Sequence, residues 1–491
     1  MPHVYPAVWS IHSAVLLPPA TVALALMAAV SGVIGVAPAE AATFTVDSSL
    51  DVPDVNPGDG VCATSANVCT LRAAVQEANA LVVVGTNTIN IPAGTYTVTS
   101  RIQIQASVDI FGENAATTII SGGSTQPIFQ VIMPSGASVG PTVNIHRLTL
   151  SNGHTVIADA GAALRNEKGA TTRLWDSVVR DNDSSTFGGG IYNWGTLRIT
   201  RSEIRNNRLP AGGGGVTSSG GGIFNGGELE IACSAVTENF ATRGGGISNQ
   251  SVVKIKNSTI SSNLALGGGG GIRNVANGSV FISLSTVTLN RGNDPSNDGS
   301  EPNRTGGGIQ TLSPALTVIG STILAGNTDN RSGFEADYSP DCFSDSSTAF
   351  TTMRFNLIGV VNNQCQLRDS VSGTNTSFDL QGNNTTPLDP KLGILSNNGG
   401  LTRTHSLHVG SPAIDSNTTS ASSTIFACES IDQRGSFRPV DGDGDGKAEC
   451  DIGAYEFQGA TLPDNSPACD SLQFDLPQPG PPAPPAGLRV Q

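Results

Sequence analysis

Five times along the middle of the chain, three glycines run into an isoleucine: Gly188-Gly189-Gly190-Ile191, Gly220-Gly221-Gly222-Ile223, Gly244-Gly245-Gly246-Ile247, Gly269-Gly270-Gly271-Ile272 and Gly306-Gly307-Gly308-Ile309. Gly161-Ala162-Ala163-Leu164 is a degenerate earlier copy, and consecutive starts lie 27, 32, 24, 25 and 37 residues apart. Self-similarity at such periods marks a stacked repeat, in which each unit buries its apolar face only against its neighbours.

An alternating apolar pair follows each glycine run: Leu197/Ile199, Leu229/Ile231, Val253/Ile255, Val280/Ile282 and Leu316/Val318. Residues two apart share one face of a strand. A serine comes next and opens a Ser-x-(Ile/Val)-x-x-Asn unit, as in Ser202-Ile204-Asn207, Ser234-Val236-Asn239, Ser258-Ile260-Asn263 and Ser285-Val287-Asn290; Ser177-Val179-Asn182 is an earlier copy. In the last copy Ser321 and Ile323 are in place, but Asn327 arrives one residue late. Three short strands per repeat, joined by glycine and asparagine, predict one coil of a parallel β-solenoid. No segment sustains the 3.6-residue period that an α-solenoid needs, and glycine is costly in helices. Neighbouring coils lie about 4.8 Å apart, so Asn207, Asn239, Asn263 and Asn290 are expected to stack as a ladder. Asn166, Asn193, Asn225, Asn249 and Asn274 predict a second ladder, broken at Thr311. The glycines read as bends, because no phosphate-loop pattern occurs. Weaker alternation upstream, from Ile89 through Leu150, extends the solenoid to residues 86–360, roughly 10–12 coils.

Charged residues make up only 13% of the 491, and the net charge is −14, which argues against nucleic acid or an anionic membrane as partner. No Lys or Arg precedes Arg72, residues 21–37 are apolar, and Ala39-x-Ala41 has the form of a cleavage site. Residues 1–42 are therefore expected to be a signal peptide, with no membrane span after it. In an exported chain cysteines pair. The sequence-local candidates are Cys62–Cys69, Cys342–Cys365 and Cys428–Cys450. No Cys-x-x-Cys occurs, so zinc and thioredoxin-type chemistry lack support.

A solenoid exposes its core at both ends and needs caps. Leu71 to Leu81 reads as a helix with Leu71, Ala74, Val75 and Ala78 on one face, and residues 43–85 are expected to cap the first coil. Cys69-Thr70-Leu71-Arg72-Ala73-Ala74 resembles the Cys-Ser-Leu-Arg-Glu-Ala motif of bacterial surface proteins of the parallel β-helix class, with Thr70 and Ala73 where that motif has Ser and Glu. Residues 361–457 resemble the choice-of-anchor Q module of bacterial surface proteins. The resemblance rests on Asp389-Pro390-Lys391-Leu392-Gly393, Asn397-Asn398-Gly399-Gly400-Leu401-Thr402, Gly410-Ser411-Pro412-Ala413-Ile414-Asp415, Asp432-Gln433-Arg434-Gly435 and Cys450-Asp451-Ile452-Gly453-Ala454-Tyr455-Glu456. The repeats between are similar to those of polymorphic outer-membrane proteins. Together these resemblances imply a right-handed parallel β-helix of the pectin-lyase-like type, with a C-terminal capping module. They place it at, or released from, a bacterial cell surface or outer membrane, and they imply no reaction. Residues 458–491 are proline-rich and read as an extended tail.

Asp441-Gly442-Asp443-Gly444-Asp445-Gly446 places three carboxylates at alternate positions before a glycine, the start of an EF-hand-type calcium loop. Position 12 is Ile452 instead of glutamate, so Glu449 or Asp451 is the substitute ligand. Calcium bound by Asp441, Asp443, Asp445 and Glu449 would pin the C-terminal module in a structural role. None of the six histidines sits in a nucleophile motif, and His405-x-x-His408 reads as structural. Glycosidases need two opposed carboxylates, and the strand-borne ones here are sparse: Asp176, Glu203, Glu228, Glu230 and Glu238. Arg198, Glu230, Lys254 and Phe281 occupy matching outward positions on successive coils and predict a mixed-charge ladder.

Two segments between the closing asparagine and the next glycine run are long, Arg208–Ser219 and Arg291–Thr305. Both are predicted to leave one corner of the rod with two coils between them, a candidate ligand-contacting edge. The leading expectation is a non-enzymatic display protein that binds glycans or cell-surface components. The rivals are a carbohydrate-active enzyme and a structural spacer. A groove clustering Asp, Glu, Arg or His favours the enzyme, and one lined by Asn, Ser and Gly favours display.

Overall fold

The computed structural model describes residues 39–81, 83–156, 159–210, 218–292, 306–329, 340–346, 349–365, 367–369, 378–417 and 428–459. Most of the expected signal segment and all but the start of the proline-rich tail lie outside these residues, as do the interiors of both long loops. No helix among them is long and apolar enough to cross a membrane.

The chain is a right-handed parallel β-helix. Three long, wholly parallel sheets wall the rod. The first has twelve strands, from Thr43–Thr45 to Leu367–Asp369; the second has eleven, from Gly94–Thr97 to Leu380–Gln381; the third has nine, from Ile102–Ile104 to Cys342–Ser344. Inward columns run in register along the first sheet: Phe44, Ile89, Ile110, Ile145, Leu174, Ile199, Ile231, Ile255, Ile282 and Ile319 each stack on the next. These side chains are buried in one continuous core.

The repeat glycines have two separate jobs. The first glycine of the first four runs bends the chain at positive φ, as at Gly188 (61°) and Gly220 (81°), whereas Gly306 does not. The second has no room for a side chain: a Cβ on Gly221 would lie 2.4 Å from the Gly245 carbonyl oxygen. Both asparagine ladders form. Asn182, Asn207, Asn239, Asn263, Asn290 and Asn327 are linked Nδ2 to Oδ1 at 2.8–3.0 Å. The second ladder joins Asn166, Asn193, Asn225, Asn249 and Asn274 and gives way at Thr311 and Thr317.

The last repeat corrects the sequence reading. The alternation predicts Leu316/Val318 as the inward pair, but Thr317 and Ile319 pair with the inward Val280 and Ile282 and are fully buried. Leu316 and Val318 join Phe281 and Met353 in a small outer cluster. A one-residue slip reverses which face every side chain meets. The same slip makes Thr322, not Ser321, the partner of the serine column, and it brings Asn327 into its ladder on time.

The helix Leu71–Ala80 closes the first coil, with Leu71, Ala74, Val75 and Ala78 buried as expected. Thr70 caps it, its hydroxyl accepting from the Ala73 N–H at 3.1 Å. Cys62–Cys69, Cys342–Cys365 and Cys428–Cys450 are all disulfide-bonded, with Cα separations of 5.1, 5.1 and 6.1 Å. Cys233 is also oxidised.

The C-terminal module was expected to close the far end. It instead leaves the last coil and returns along the outer face of the second sheet. Ile323 and Leu357 on that face pack against Leu407, Ala413, Ile414 and Ile452. Polar contacts continue the docking: Gly453 N–H to Ser321 O at 3.0 Å, Ala454 N–H to Thr286 Oγ1 at 3.1 Å, Asn257 Nδ2 to Ile431 O at 2.9 Å, and Thr402 Oγ1 to Cys233 O at 3.2 Å. The reason lies in the coils themselves. From Ala235 onward the outward residues of the second sheet are small or apolar (Ala235, Thr259, Thr286, Ile323, Leu357), and they need a cover.

Candidate functional site

The module stops short of the earlier coils, and a cleft of about 550 Å³ opens where it ends. Three columns of side chains build its floor. The corner after each first-sheet strand is a residue in the left-handed region, and here those residues are Arg147, Asp176 and Arg201, at φ 54°, 51° and 46°. The outward positions of the second sheet supply Thr149, Val178 and Glu203 in one column and Arg180 and Arg205 in the next. Leu401, on the loop at the module's edge, forms the facing wall and is 68% exposed.

The charges alternate. Arg201 grips Asp176 with two bonds, Nε at 2.6 Å and Nη2 at 3.0 Å. Arg205 meets Glu203 at 3.2 Å, and Arg180 pairs with its neighbour Asp181. Glu203 is shared with the module, accepting from the Arg403 backbone at 2.8 Å and its Nε at 3.3 Å. Arg403 reaches on to Glu238 at 2.9 Å and Thr237 at 2.8 Å. The Arg403 guanidinium, hydrogen-bonded to Glu238, holds that carboxyl below its ordinary range.

Beside the cleft, on the first sheet, Phe111, His146 and Trp175 stack ring on ring at 4.5 and 4.6 Å. Burial between the two rings lowers the His146 pKa, which favours the neutral imidazole.

The cleft is therefore of the charged kind that the sequence reading tied to an enzyme. Its two carboxylates were among the sparse strand-borne set, Asp176 and Glu203. Both are held by guanidinium groups, which leaves neither placed as an unpaired acid or base. The arginines lie outside the repeat motif, so its periodicity does not mark them. The signal was present: Asp176 and Arg201 immediately precede the repeat serines Ser177 and Ser202.

The predicted mixed-charge ladder forms on the first sheet, with Arg198 to Glu230 at 2.7 Å and Lys254 to Glu230 at 3.2 Å. It is less exposed than an outward column implies: Glu230, Lys254 and Phe281 are 6%, 8% and 6% exposed. His405 is structural. Its ring is buried against the rod, with Nε2 2.8 Å from the Ser261 hydroxyl and Nδ1 2.8 Å from the Gly393 carbonyl oxygen. Burial lowers its pKa, and the carbonyl accepts the Nδ1 proton.

The acidic loop is only partly as expected. Asp441 and Asp443 approach Asp415, with one oxygen from each within 4.8 Å of the others. Asp415 comes from a distant loop, which is why local spacing did not reveal it. Asp445 and Glu449 do not join this group. The Asp445 carboxylate turns to Lys447 at 3.6 Å, while Glu449 offers its backbone N–H to Asp415 at 3.4 Å.

The anchors of the two long loops do share a corner. Arg208 pairs with Phe240, Phe240 with Leu264, and Leu264 with Arg291, so two coils separate them. Ser219 pairs with Phe187 and Arg243, and Thr305 falls outside the described residues.

No protein-family profile matches this chain, and no curated protein matches it. Among solved structures, a crystal structure of pectate lyase Pel9A is similar at 13% identity and a TM-score of 0.42, covering 85% of this chain and 97% of that one.

Proposed function

We propose that this is an exported, surface-displayed or released binding protein whose flank cleft takes a sugar polymer without transforming it. The observation that supports this reading is the alternation of guanidinium and carboxylate around one cleft. Paired planar charges offer donors and acceptors together, which suits vicinal hydroxyls, and Leu401 offers an apolar patch to a sugar face. Bound carboxylates support binding over proton transfer. The disulfides agree with an oxidising compartment.

A second reading, a lyase or hydrolase, is favoured by the same clustering of Asp, Glu and Arg. One experiment separates the two. The purified chain is offered a panel of neutral and acidic polysaccharides, scored for binding, for new reducing ends and for unsaturated products. Binding without product supports the first reading. Turnover that Glu203→Gln abolishes would replace it with the second.

Calcium belongs to this proposal as a structural ion of the module, now centred on Asp415, Asp441 and Asp443. Oxygen-only ligands of this kind suit a hard cation.

A further inference from the structure

We infer that Arg147 makes the cleft selective for an acidic sugar: the bound glycan carries a carboxylate or sulfate, and that group pairs with Arg147. The inference rests on the glycan-binding reading above and narrows it to a ligand class.

Three of the four cleft arginines are already engaged by carboxylates: Arg180 by Asp181, Arg201 by Asp176 and Arg205 by Glu203. Arg147 differs. No carboxylate among the described residues lies within ion-pair distance of it, and it is exposed at the cleft. It is nonetheless held in place. Its backbone N–H donates to Trp175 O at 3.0 Å, and its guanidinium lies 5.8 Å from the centre of the Phe111 ring. The acid that comes next in its own corner column, Asp176, is gripped from the other side by Arg201. The corner sequence Arg147, Asp176, Arg201 therefore leaves one cation uncompensated at one end of a row.

A neutral glycan leaves that guanidinium in water at no loss. An anionic group on the sugar gains a charge-assisted pair beside the stacked rings of Phe111, His146 and Trp175. That difference amounts to about tenfold in affinity. A nucleic acid fits less well. Its closely spaced phosphates would meet Asp176 and Glu203 on the cleft floor and a chain of net charge −14.

The test measures affinity of the full chain for a polyuronate and for its carboxyl-reduced counterpart, with a sulfated glycan and single-stranded DNA as further arms. Wild type is expected to bind the charged polymer about tenfold tighter than the neutral one. Arg147→Gln should bring the affinity for the charged polymer down to that for the neutral one. Arg147→Lys should recover part of the preference. The sulfated arm tells which anion is preferred. Equal affinity for charged and neutral polymers, an unaltered ratio in Arg147→Gln, or DNA binding as tight as polyuronate would each overturn the inference. Glycans bound without regard to charge, with binding weakened by Arg205→Ala, would leave the cleft standing and remove only the role of Arg147. Binding of no glycan would remove both. Arg147 is exposed, and circular dichroism checks that its variants fold.

Discussion

Asn327 Nδ2 donates to Asp341 Oδ1 at 2.9 Å, so a carboxylate, and not another amide, ends the buried asparagine ladder. Asp341 is fully buried and also accepts from the backbone N–H groups of Asn327 at 3.1 Å and Val360 at 2.8 Å. No cation pairs with it among the described residues. Burial pushes its carboxyl up from 3.8 to about 7.

The sign of the consequence follows from proton counting. Between pH 4 and 7 the unfolded chain has lost this proton while the folded chain keeps it, so stability falls as pH rises through that window. The contribution is on the order of a few kcal/mol. Hydrogen exchange of the coil around Val360, followed from pH 4 to pH 8, should show protection declining with pH. Asp341→Asn should flatten that decline, at the cost of an amide facing the Val360 N–H. A flat wild-type profile would contradict the assignment.

Asn263→Ala, midway along the ladder, removes one donor and one acceptor and strands the amide groups of Asn239 on the adjacent coil. Unsatisfied buried polar groups make the loss about 2–4 kcal/mol. Denaturant unfolding reads it directly.

Arg403 ties the module to the rod through Glu203, Glu238 and Thr237. Arg403→Ala should loosen the edge that carries Leu401. Proteolysis near residues 397–401 should quicken several-fold, and affinity for any cleft ligand should drop while the coils keep their β signature. Glu238, held low by Arg403, contributes stability present above the unfolded carboxylate pKa and lost as pH falls through the folded value. Acid should therefore loosen the wild-type edge in the same way.

If calcium occupies the Asp415, Asp441 and Asp443 group, free ion at a hundred times its dissociation constant should stabilise the chain by about 2.7 kcal/mol. The melting temperature with calcium and with chelator measures this, and Asp443→Asn should abolish the difference. Asp445→Asn should not, because its carboxylate faces Lys447. A melting temperature indifferent to calcium would make the loop a solvated turn.

Much of the rod is legible in the sequence. Glycine runs, inward pairs and asparagines recur in step, and the structure aligns them column by column. The slip at Leu316-Thr317-Val318-Ile319 escaped because apolar residues there alternate acceptably in either register, and only pairing with Val280 and Ile282 decides between them. The cleft was harder to see. Arg147, Arg180, Arg201 and Arg205 vary from coil to coil, so no repeat marks them, and their nearness follows from stacking. The module's position was invisible for a related reason. The apolar outward residues Ile323 and Leu357 have the pattern of ordinary strand residues, and only the packing of the module on them shows that their outer face is covered.

Because the module doubles back, the described chain leaves the molecule from its side. Its last stretch passes Ser321 and Thr286 through Gly453 and Ala454, several coils short of the tip. Anything joined beyond Gly459 would hold this rod like a crossbar, broadside to its support. The end capped by the helix would stand farther from the point of attachment than the last coil does, and the arginine cleft would lie between that capped end and the mast.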